Sequence, residues 1–167
     1  AILKSLKDSS YEENTIVIFV SDHGMPLPFA KSSLYQNGIR TPWVMKWPEK
    51  IKPGSKDTEH MISAVDFFPT ILNICGIRKV KGLEGRSFLP LIQGKTQKYR
   101  DHIFAEFNEN AIGLVYPTRA VHNKKFAYIF NPWSDGKRTF SSASSFHKSY
   151  KVIKELAKTD PTVAKRF

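Results

Sequence analysis

The hydrophobic residues near the start of the chain form one continuous run and one shorter run. Residues 15–20 are Thr-Ile-Val-Ile-Phe-Val, a mostly β-branched sequence that is typical of a strand buried on both faces of a parallel sheet. Residues 41–48 predict a second strand, and residues 1–7 have helical spacing with no capping residue before them. We therefore expect the chain to start inside a helix, as a piece of a longer protein would.

A helix is predicted between Ser63 and Gly76. Asp66 is placed to cap its N-terminus, Pro69 falls in its first turn, and Gly76 ends it. The apolar residues of this segment are expected in the core: Phe67, Phe68, Ile71, Leu72 and Cys75. Because the chain has a single cysteine, the sequence excludes an internal disulfide and a cysteine-based metal cluster.

The second half of the chain has a different pattern. Residues 102–107, 119–122 and 125–130 alternate between apolar and polar side chains, which predicts antiparallel strands with one solvated face. Residues 146–157 return to helical spacing and end at Asp160-Pro161. Four lysines are expected on the solvated side of this helix: Lys148, Lys151, Lys154 and Lys158.

A polar stretch from Lys95 to Arg100 separates the two patterns. We expect an α/β fold in which residues 1–97 form the end of a sheet with flanking helices. Residues 98–167 are expected to form a small, incomplete α+β subdomain of antiparallel strands and a helix.

The composition is that of a globular protein, with 41% hydrophobic and 25% charged residues. No apolar stretch is long enough to span a bilayer. The net charge of +11 favours anionic partners such as nucleic acid, sulfated polysaccharide or acidic lipid. Because the chain has no RNA-binding signature, no zinc-finger spacing and no long Lys/Arg run, a nucleic-acid partner is not expected.

The most informative polar residues directly follow the first strand. They are Ser21-Asp22-His23-Gly24, at the carboxyl end of a predicted strand, where open α/β sheets place their ligands. A carboxylate and an imidazole on one turn can converge on a metal ion, and Gly24 permits a sharp turn or a close approach. Taken alone, these residues also fit a turn in which Asp22 caps local N–H groups.

Further blocks follow this turn in a fixed order along the chain. They are Lys31, the segment Tyr35–Pro42, Asp66-Phe67-Phe68-Pro69-Thr70-Ile71-Leu72, and Gly85-Arg86-Ser87-Phe88-Leu89-Pro90-Leu91 with Gly94. Together with residues 15–24 they resemble the sulfatases of the alkaline phosphatase superfamily. Three features favour the heparan N-sulfatase (sulfamidase) branch: Pro26-Leu27-Pro28-Phe29, Gln36 and Tyr116-Pro117-Thr118-Arg119-Ala120-Val121.

The resemblance implies the end of an alkaline-phosphatase-like mixed sheet and the hydrolysis of sulfate esters or N-sulfate groups. Sulfatases attack with a formylglycine made within a Cys/Ser-x-Pro-x-Arg motif, and this motif is missing here, as is the family's N-terminal pair of aspartates. We therefore expect the C-terminal third of a sulfatase, with the nucleophile outside this chain and no activity in the chain alone.

The resemblance also implies roles for particular residues. Asp22 and His23 are the expected metal ligands, with Ca²⁺ favoured and Mn²⁺ or Mg²⁺ as alternatives, because histidine is an unusual ligand for calcium. Without the resemblance, Lys31 is best interpreted as a solvated loop lysine; with it, Lys31 is catalytic and pairs with a sulfate oxygen. Arg119 and His122 are candidate substrate-binding residues. For Arg119, an exposed position at a strand end is at least as good an explanation.

Two other functions stay open. One is a metal-dependent phosphodiesterase or phosphatase of the same superfamily, which its nucleophile would distinguish. The other is a noncatalytic binder of anionic polysaccharide, which would retain heparin affinity without a metal. For the leading function we expect a sulfated sugar or glycosaminoglycan substrate, no membrane partner, and a periplasmic, secreted or lysosomal location. A homo-oligomer, the exact substrate and the choice between N- and O-sulfate are left open.

Overall fold

The computed structural model describes residues 1–77, 80–110 and 113–165. In chain order the elements are α1 (Ile2–Lys7), β1 (Val17–Val20), α2 (Gln36–Ile39), β2 (Trp43–Lys46), α3 (Phe67–Ile74), α4 (Leu89–Ile92), β3 (His102–Glu109), β4 (Val115–Asn123), β5 (Ala127–Phe130), α5 (Lys148–Leu156) and α6 (Pro161–Ala164). Short 3₁₀ helices lie at Glu12–Asn14, Ala64–Asp66 and Ala143–Phe146. The predicted α/β class is confirmed.

The chain packs as two compact units, each made of two separate segments. The first unit contains Ala1–Phe19 and Trp43–Ile103, and the second contains Val20–Pro42 and Phe104–Phe167. The domain boundary expected between residues 97 and 98 stays a prediction, because these units are defined by packing and not by contiguous sequence.

Both predicted strands of the N-terminal region are present, as β1 and β2, and they pair in a two-stranded sheet. The expectation that β1 is buried on both faces is wrong: Phe19 is 62% exposed and Val20 is 47% exposed. In the described part of the chain no third strand extends this sheet. A two-stranded sheet leaves much of its apolar surface in contact with solvent, which explains the difference.

The first unit is built around the buried carboxylate of Asp66, which is fully inaccessible to solvent. This carboxylate accepts hydrogen bonds from the backbone N–H groups of Ser63 and Arg86, each at 2.8 Å. The guanidinium of Arg100 completes the set with an ion pair to the same group. Asp66 precedes α3 as predicted, but its side chain does not cap that helix; its oxygens are bound to these three partners instead.

The core of the first unit continues from Asp66 through Thr70 and the aromatic residues beside it. The Thr70 hydroxyl donates to the Asp66 carbonyl at 2.6 Å and accepts from the Phe88 N–H at 3.1 Å. The Trp43 ring makes edge contacts with Phe67 and Phe88, with ring centroids 5.1 and 5.4 Å apart. These contacts tie β2 and α3 to the turn before α4.

Two residues expected in this core lie at the surface. Phe68 is 56% exposed, because it faces away from the side of α3 that carries the buried Pro69 and Thr70. Cys75, which directly follows the last residue of α3, is exposed. The helical segment itself was predicted correctly, but its apolar residues do not all face the core.

Tyr99 covers the arginines that surround Asp66. Its ring lies 4.4 Å from the Arg86 guanidinium and 5.5 Å from that of Arg100, and its hydroxyl donates to the Arg86 carbonyl. Burial, together with the negative charge of Asp66, raises the pKa of Tyr99 to about 12.

The second unit is organised around a three-stranded sheet in the order β3-β4-β5. Strands β4 and β5 are antiparallel, as predicted, with Arg119 opposite Phe130 and His122 opposite Ala127. Side chains along β4 alternate between exposed or half-buried and buried positions. The buried set is Tyr116, Thr118, Ala120 and His122. Tyr116 packs against Trp133 and Phe140, with ring centroids 5.2 and 5.0 Å apart.

Replacing the central carboxylate should destabilise the first unit. In Asp66→Ala the Arg100 guanidinium and two backbone N–H groups lose their acceptor, so we expect the free energy of unfolding to fall by about 3–5 kcal/mol. Urea unfolding followed by tryptophan fluorescence measures this change. Asp101→Ala is the control, because the Asp101 side chain is 92% exposed and its loss should cost only about 0–0.5 kcal/mol. Equal stability of the two variants would contradict the central role of Asp66.

The raised pKa of Tyr99 makes stability depend on alkaline pH. An unfolded tyrosine ionises near pH 10, whereas the folded chain keeps Tyr99 protonated up to about pH 12. The stabilisation is therefore complete below pH 10 and is lost as pH rises from 10 to 12. Urea unfolding across this range should show the decline, and Tyr99→Phe should reduce it. Tyr128→Phe, at a position 66% exposed, should leave the decline intact; an unchanged decline in Tyr99→Phe would refute the assignment.

Candidate functional site

The Ser21–Gly24 turn directly follows β1 and is held by local hydrogen bonds. The Asp22 carboxylate accepts the His23 backbone N–H at 2.9 Å, and the Ser21 hydroxyl donates to the His23 carbonyl at 2.9 Å. The capped turn considered from the sequence is therefore present. It does not exclude a metal role, because the second carboxylate oxygen of Asp22 faces the His23 ring nitrogen Nε2 at 3.2 Å.

The orientation of the His23 ring suits a metal ligand. Its Nδ1 lies 2.8 Å from the Gly24 carbonyl, which can only accept, so Nδ1 carries the hydrogen. A neutral ring then has its lone pair on Nε2, beside the Asp22 oxygen. The Asp22 side chain is 81% exposed and that of His23 is 40% exposed. The two groups together can supply one oxygen and one nitrogen to a cation that approaches from solvent.

These two residues do not make a complete metal site. Within residues 1–77, 80–110 and 113–165, no group of three or more His, Cys, Asp or Glu side chains is placed to hold a metal ion. Asp22 fits the oxygen preference of Ca²⁺ and Mg²⁺, and His23 fits Mn²⁺ better. A hard divalent cation needs about six ligands, so the remainder would have to come from water, substrate or another part of the protein.

Gly24 fixes the course of the loop that follows. Its N–H donates to the Gly38 carbonyl at 3.0 Å, which closes residues 24–38 into a loop. A Cβ atom at position 24 would lie 1.8 Å from the Asn37 carbonyl oxygen, so only glycine allows this approach. The sequence predicted a sharp turn or a close approach here, and the close approach is confirmed.

Lys31 lies near the middle of this loop. Its backbone N–H donates to the Met25 carbonyl at 3.0 Å. Nearby Phe29 and Ser32 both have φ of 60°, in the left-handed region that a bulky residue such as phenylalanine rarely adopts. The backbone around Lys31 is therefore held in a strained conformation, which requires fixed contacts with the surrounding structure.

Those contacts come from three side chains in the C-terminal half of the chain. The Ser144 hydroxyl donates to the Lys31 carbonyl at 2.9 Å, and the Ser149 hydroxyl donates to the Pro26 carbonyl at 3.4 Å. His122 lies 2.8 Å from the Leu34 carbonyl through Nε2, so this nitrogen carries the hydrogen. The loop is thus fastened before, at and after the candidate catalytic lysine.

The two candidate substrate-binding residues have different surroundings. His122 is 6% exposed, and its ring supports the loop through Leu34 as described. Arg119 is half exposed and donates to the Asn108 side chain at 2.8 Å, with Glu106 at 3.4 Å. Arg119 therefore lies on the opposite face of β4 from His122, on the side open to solvent. Substrate binding by either residue stays a prediction.

The second unit brings together the turn with Asp22 and His23, the loop with Lys31, and the strand with Arg119 and His122. The sequence did not identify Ser144 and Ser149 as contacts of this loop; Ser149 was predicted only as part of the helix over residues 146–157. Their signal was weak: two serines in a serine-rich stretch have no spacing that distinguishes a contact to a distant backbone from a local turn.

A comparison with protein families gives a match to the model described as N-sulphoglucosamine sulphohydrolase, C-terminal, over residues 22–136. These residues include the Asp-His-Gly turn, the Lys31 loop and strand β4, and they make up more than half of the chain. The chain belongs to this family. The resemblance to sulfatases is therefore confirmed.

Individual sulfatases are similar over much of the chain. An ulvan-active sulfatase from Formosa agariphila is 37% identical over 131 residues, which cover 78% of this chain and 21% of that protein. Human N-sulphoglucosamine sulphohydrolase is 30% identical over 139 residues, covering 78% of this chain and 27% of that protein. The chain thus spans about a fifth to a quarter of the length of these relatives.

Solved structures show the same fold. A 2-O GAG sulfatase superposes with a TM-score of 0.69 at 22% identity, over 99% of this chain and 38% of that chain. A phosphonate monoester hydrolase from Agrobacterium radiobacter superposes with a TM-score of 0.58 at 19% identity, over 99% of this chain and 38% of that chain. The alkaline-phosphatase-like sulfatase architecture is therefore confirmed. Among the residues that the structure describes, no helix has the length and apolarity required to cross a membrane.

Removing the donor at His122 should loosen the loop. His122→Phe keeps an aromatic ring but leaves the Leu34 carbonyl without its hydrogen-bond donor. The lost hydrogen bond lowers the free energy needed to open the loop, and we expect opening to become about tenfold more frequent. Hydrogen exchange of the Gly24, Lys31 and Gly38 amides should accelerate accordingly. His60→Phe is the control, since His60 contacts Asp57 in the first unit and should leave these amides unchanged. Unaltered exchange in His122→Phe would show that the loop does not depend on this contact.

Proposed function

We propose that this chain forms the C-terminal part of an enzyme that hydrolyses sulfate esters or N-sulfate groups on sulfated sugars. The observation that carries the proposal is the family match over residues 22–136, which includes the turn and loop described above. The names of the relatives support it: an ulvan-active sulfatase and an N-sulphoglucosamine sulphohydrolase both act on sulfated sugars. A glycosaminoglycan or another sulfated polysaccharide is the proposed substrate class.

Hydrolysis of such a group requires that a nucleophile reach sulfur and that the bond from sulfur to oxygen or nitrogen break. The negative charge on the sulfuryl oxygens must be matched, and the leaving atom must gain a proton. The chain contains no Cys/Ser-x-Pro-x-Arg motif, so we propose that a formylglycine nucleophile lies outside it. The residues present would match the negative charge on the sulfuryl oxygens and assist protonation of the leaving atom.

Asp22 and His23 are the proposed metal ligands. The Asp22 carboxylate would supply a charged oxygen, and the hydrogen bond from His23 Nδ1 to the Gly24 carbonyl would direct the lone pair of Nε2 to the cation beside that oxygen. A divalent cation there supplies positive charge that polarises the sulfuryl oxygens. Ca²⁺ is proposed because oxygen ligands dominate such sites, with Mn²⁺ or Mg²⁺ as the alternatives.

Lys31 is proposed to pair with a sulfuryl oxygen and to assist the leaving group. No ion pair or hydrogen bond occupies its ammonium group among the described residues, whereas its backbone is fixed by Met25 and Ser144. A flexible side chain on a fixed backbone can reach a bound anion without moving the loop. Arg119, half exposed on β4, is proposed to contact a more distant sulfate or carboxylate of the substrate.

The location of the enzyme follows from its proposed substrate. Sulfated polysaccharides are met outside the cytoplasm, so a periplasmic, secreted or lysosomal location is proposed. A homo-oligomer stays an open prediction.

The metal and lysine assignments can be separated by experiment in a longer protein that contains this chain. Asp22→Ala should abolish turnover of a sulfated chromogenic ester, because it removes a charged ligand from the cation. Lys31→Ala should keep the metal bound, measured by metal analysis, while turnover falls by about 10²-fold or more.

The control for this experiment is Lys50→Ala, at an exposed position in the first unit, which should turn over normally. The 167-residue chain alone should be inactive. Full activity of Asp22→Ala would refute the site, and turnover by the purified chain that is lost on Asp22→Ala would refute the placement of the nucleophile outside it.

A further inference from the structure

Helix α5 of the second unit carries a row of lysines on its exposed side. Lys148, Lys151 and Lys154 recur at intervals of three residues and are all exposed. Residues three apart are neighbours on a helix surface, so the three ammonium groups follow one side of α5 over about 9 Å. None of the three side chains has an ion-pair or hydrogen-bond partner within the part of the chain that the structure describes.

The charge of this row is not cancelled by the helix itself. Glu155 is the single acidic residue of α5, and its carboxylate is paired with Lys158 at 2.7 Å. The other side of the helix, which carries Ile153, is less exposed, as is Ala157 directly after the helix. The lysine side of α5 therefore points to solvent.

An open depression lies beside these lysines. It has a volume of about 390 Å³ and is lined by Lys151, Val152, Glu155, Leu156 and Thr159. Val152 is 57% exposed and Leu156 is 49% exposed. A sugar ring has an apolar face of C–H groups and polar or charged substituents at its edge, so an aliphatic surface beside an ammonium group suits a sulfated sugar.

Helix α5 is joined to the loop that carries Lys31. Ser149, on α5, donates to the Pro26 carbonyl, and Ser144, in the turn before α5, donates to the Lys31 carbonyl. A polymer bound along α5 would therefore be held by an element that is fastened directly to the candidate catalytic loop.

We propose that the α5 lysine row, Lys148, Lys151 and Lys154, binds a sulfated polysaccharide chain outside the group that is hydrolysed. The identity of this polyanion rests on the proposed function. Charge complementarity supports the assignment, because a net charge of +11 attracts polyanions and this row presents unpaired positive charge. A membrane surface is a poorer fit, because the nine-residue helix has one side packed and only two exposed aliphatic side chains.

Heparin binding by the 167-residue chain tests this surface. The triple variant Lys148→Gln/Lys151→Gln/Lys154→Gln keeps helix propensity and should weaken heparin binding by about tenfold or more, with a smaller dependence of affinity on salt, because fewer counterions are released. The matched control Lys50→Gln/Lys52→Gln/Lys56→Gln removes three exposed charges from the first unit and should change affinity by about twofold or less. Isothermal titration calorimetry at several salt concentrations measures both, and circular dichroism verifies folding.

Equal weakening in the two triple variants would overturn the proposal, because it would show diffuse attraction to the whole basic surface. The wild-type chain should bind desulfated heparin more weakly than heparin. Binding of anionic lipid vesicles or duplex DNA as tightly as heparin, with the same loss in the helix variant, would overturn it in favour of a membrane or nucleic-acid surface.

The outcome is independent of catalysis, since heparin binding is measured without turnover. Should Asp22→Ala remain active while the helix variant loses heparin, the proposed hydrolytic site fails and the α5 surface stands. Should Asp22→Ala lose activity while the helix variant binds heparin normally, the surface fails and the hydrolytic site stands.

Discussion

A buried carboxylate needs positive charge and N–H donors around it, and the first unit depends on how Asp66 obtains them. Its partners come from Ser63 beside it, from Arg86, 20 residues away, and from Arg100, 34 residues away. Three segments that are separated along the chain by helices α3 and α4 must therefore meet at one point. The Tyr99 ring lies against the guanidinium groups of Arg86 and Arg100, and the Asp66 carboxylate is fully shielded from solvent, which strengthens each of these hydrogen bonds. The aromatic core of Trp43, Phe67 and Phe88 is linked to Asp66 through the two hydrogen bonds of Thr70.

In the second unit, an irregular loop also depends on hydrogen-bond donors from distant parts of the chain. Residues 24–38 cannot satisfy all of their backbone groups by themselves, because buried carbonyls outside helices and strands need other donors. His122, Ser144 and Ser149 provide those donors. The same contacts stabilise the left-handed conformations of Phe29 and Ser32, so the strain beside Lys31 is balanced by hydrogen bonds from distant parts of the chain.

The sequence predicted the elements more reliably than the contacts among them. Periodicity located β1, β2, α3, β4 and α5, since each has a local pattern of apolar residues. It could not show that Phe19 and Phe68 are exposed, because exposure depends on which neighbouring elements are present. The motif that resembles sulfatases predicted Asp22, His23 and Lys31 as site residues, and these roles stay predictions. The roles of Asp66 and Ser144 lay beyond local patterns, because their partners are 20 to 113 residues away in the chain.

These separations have a consequence for the order in which the chain folds. The contacts that fasten the Lys31 loop link residues 88, 113 and 123 positions apart, and closing such long intervals is entropically costly and slow. During synthesis, the loop leaves the ribosome early, but its last supports appear only when α5 has been made. At about 5–20 residues per second, the loop waits roughly 6–25 seconds for those partners. The candidate site is therefore among the last parts of the molecule to take shape, and until then it is an unsupported segment available to proteases and chaperones.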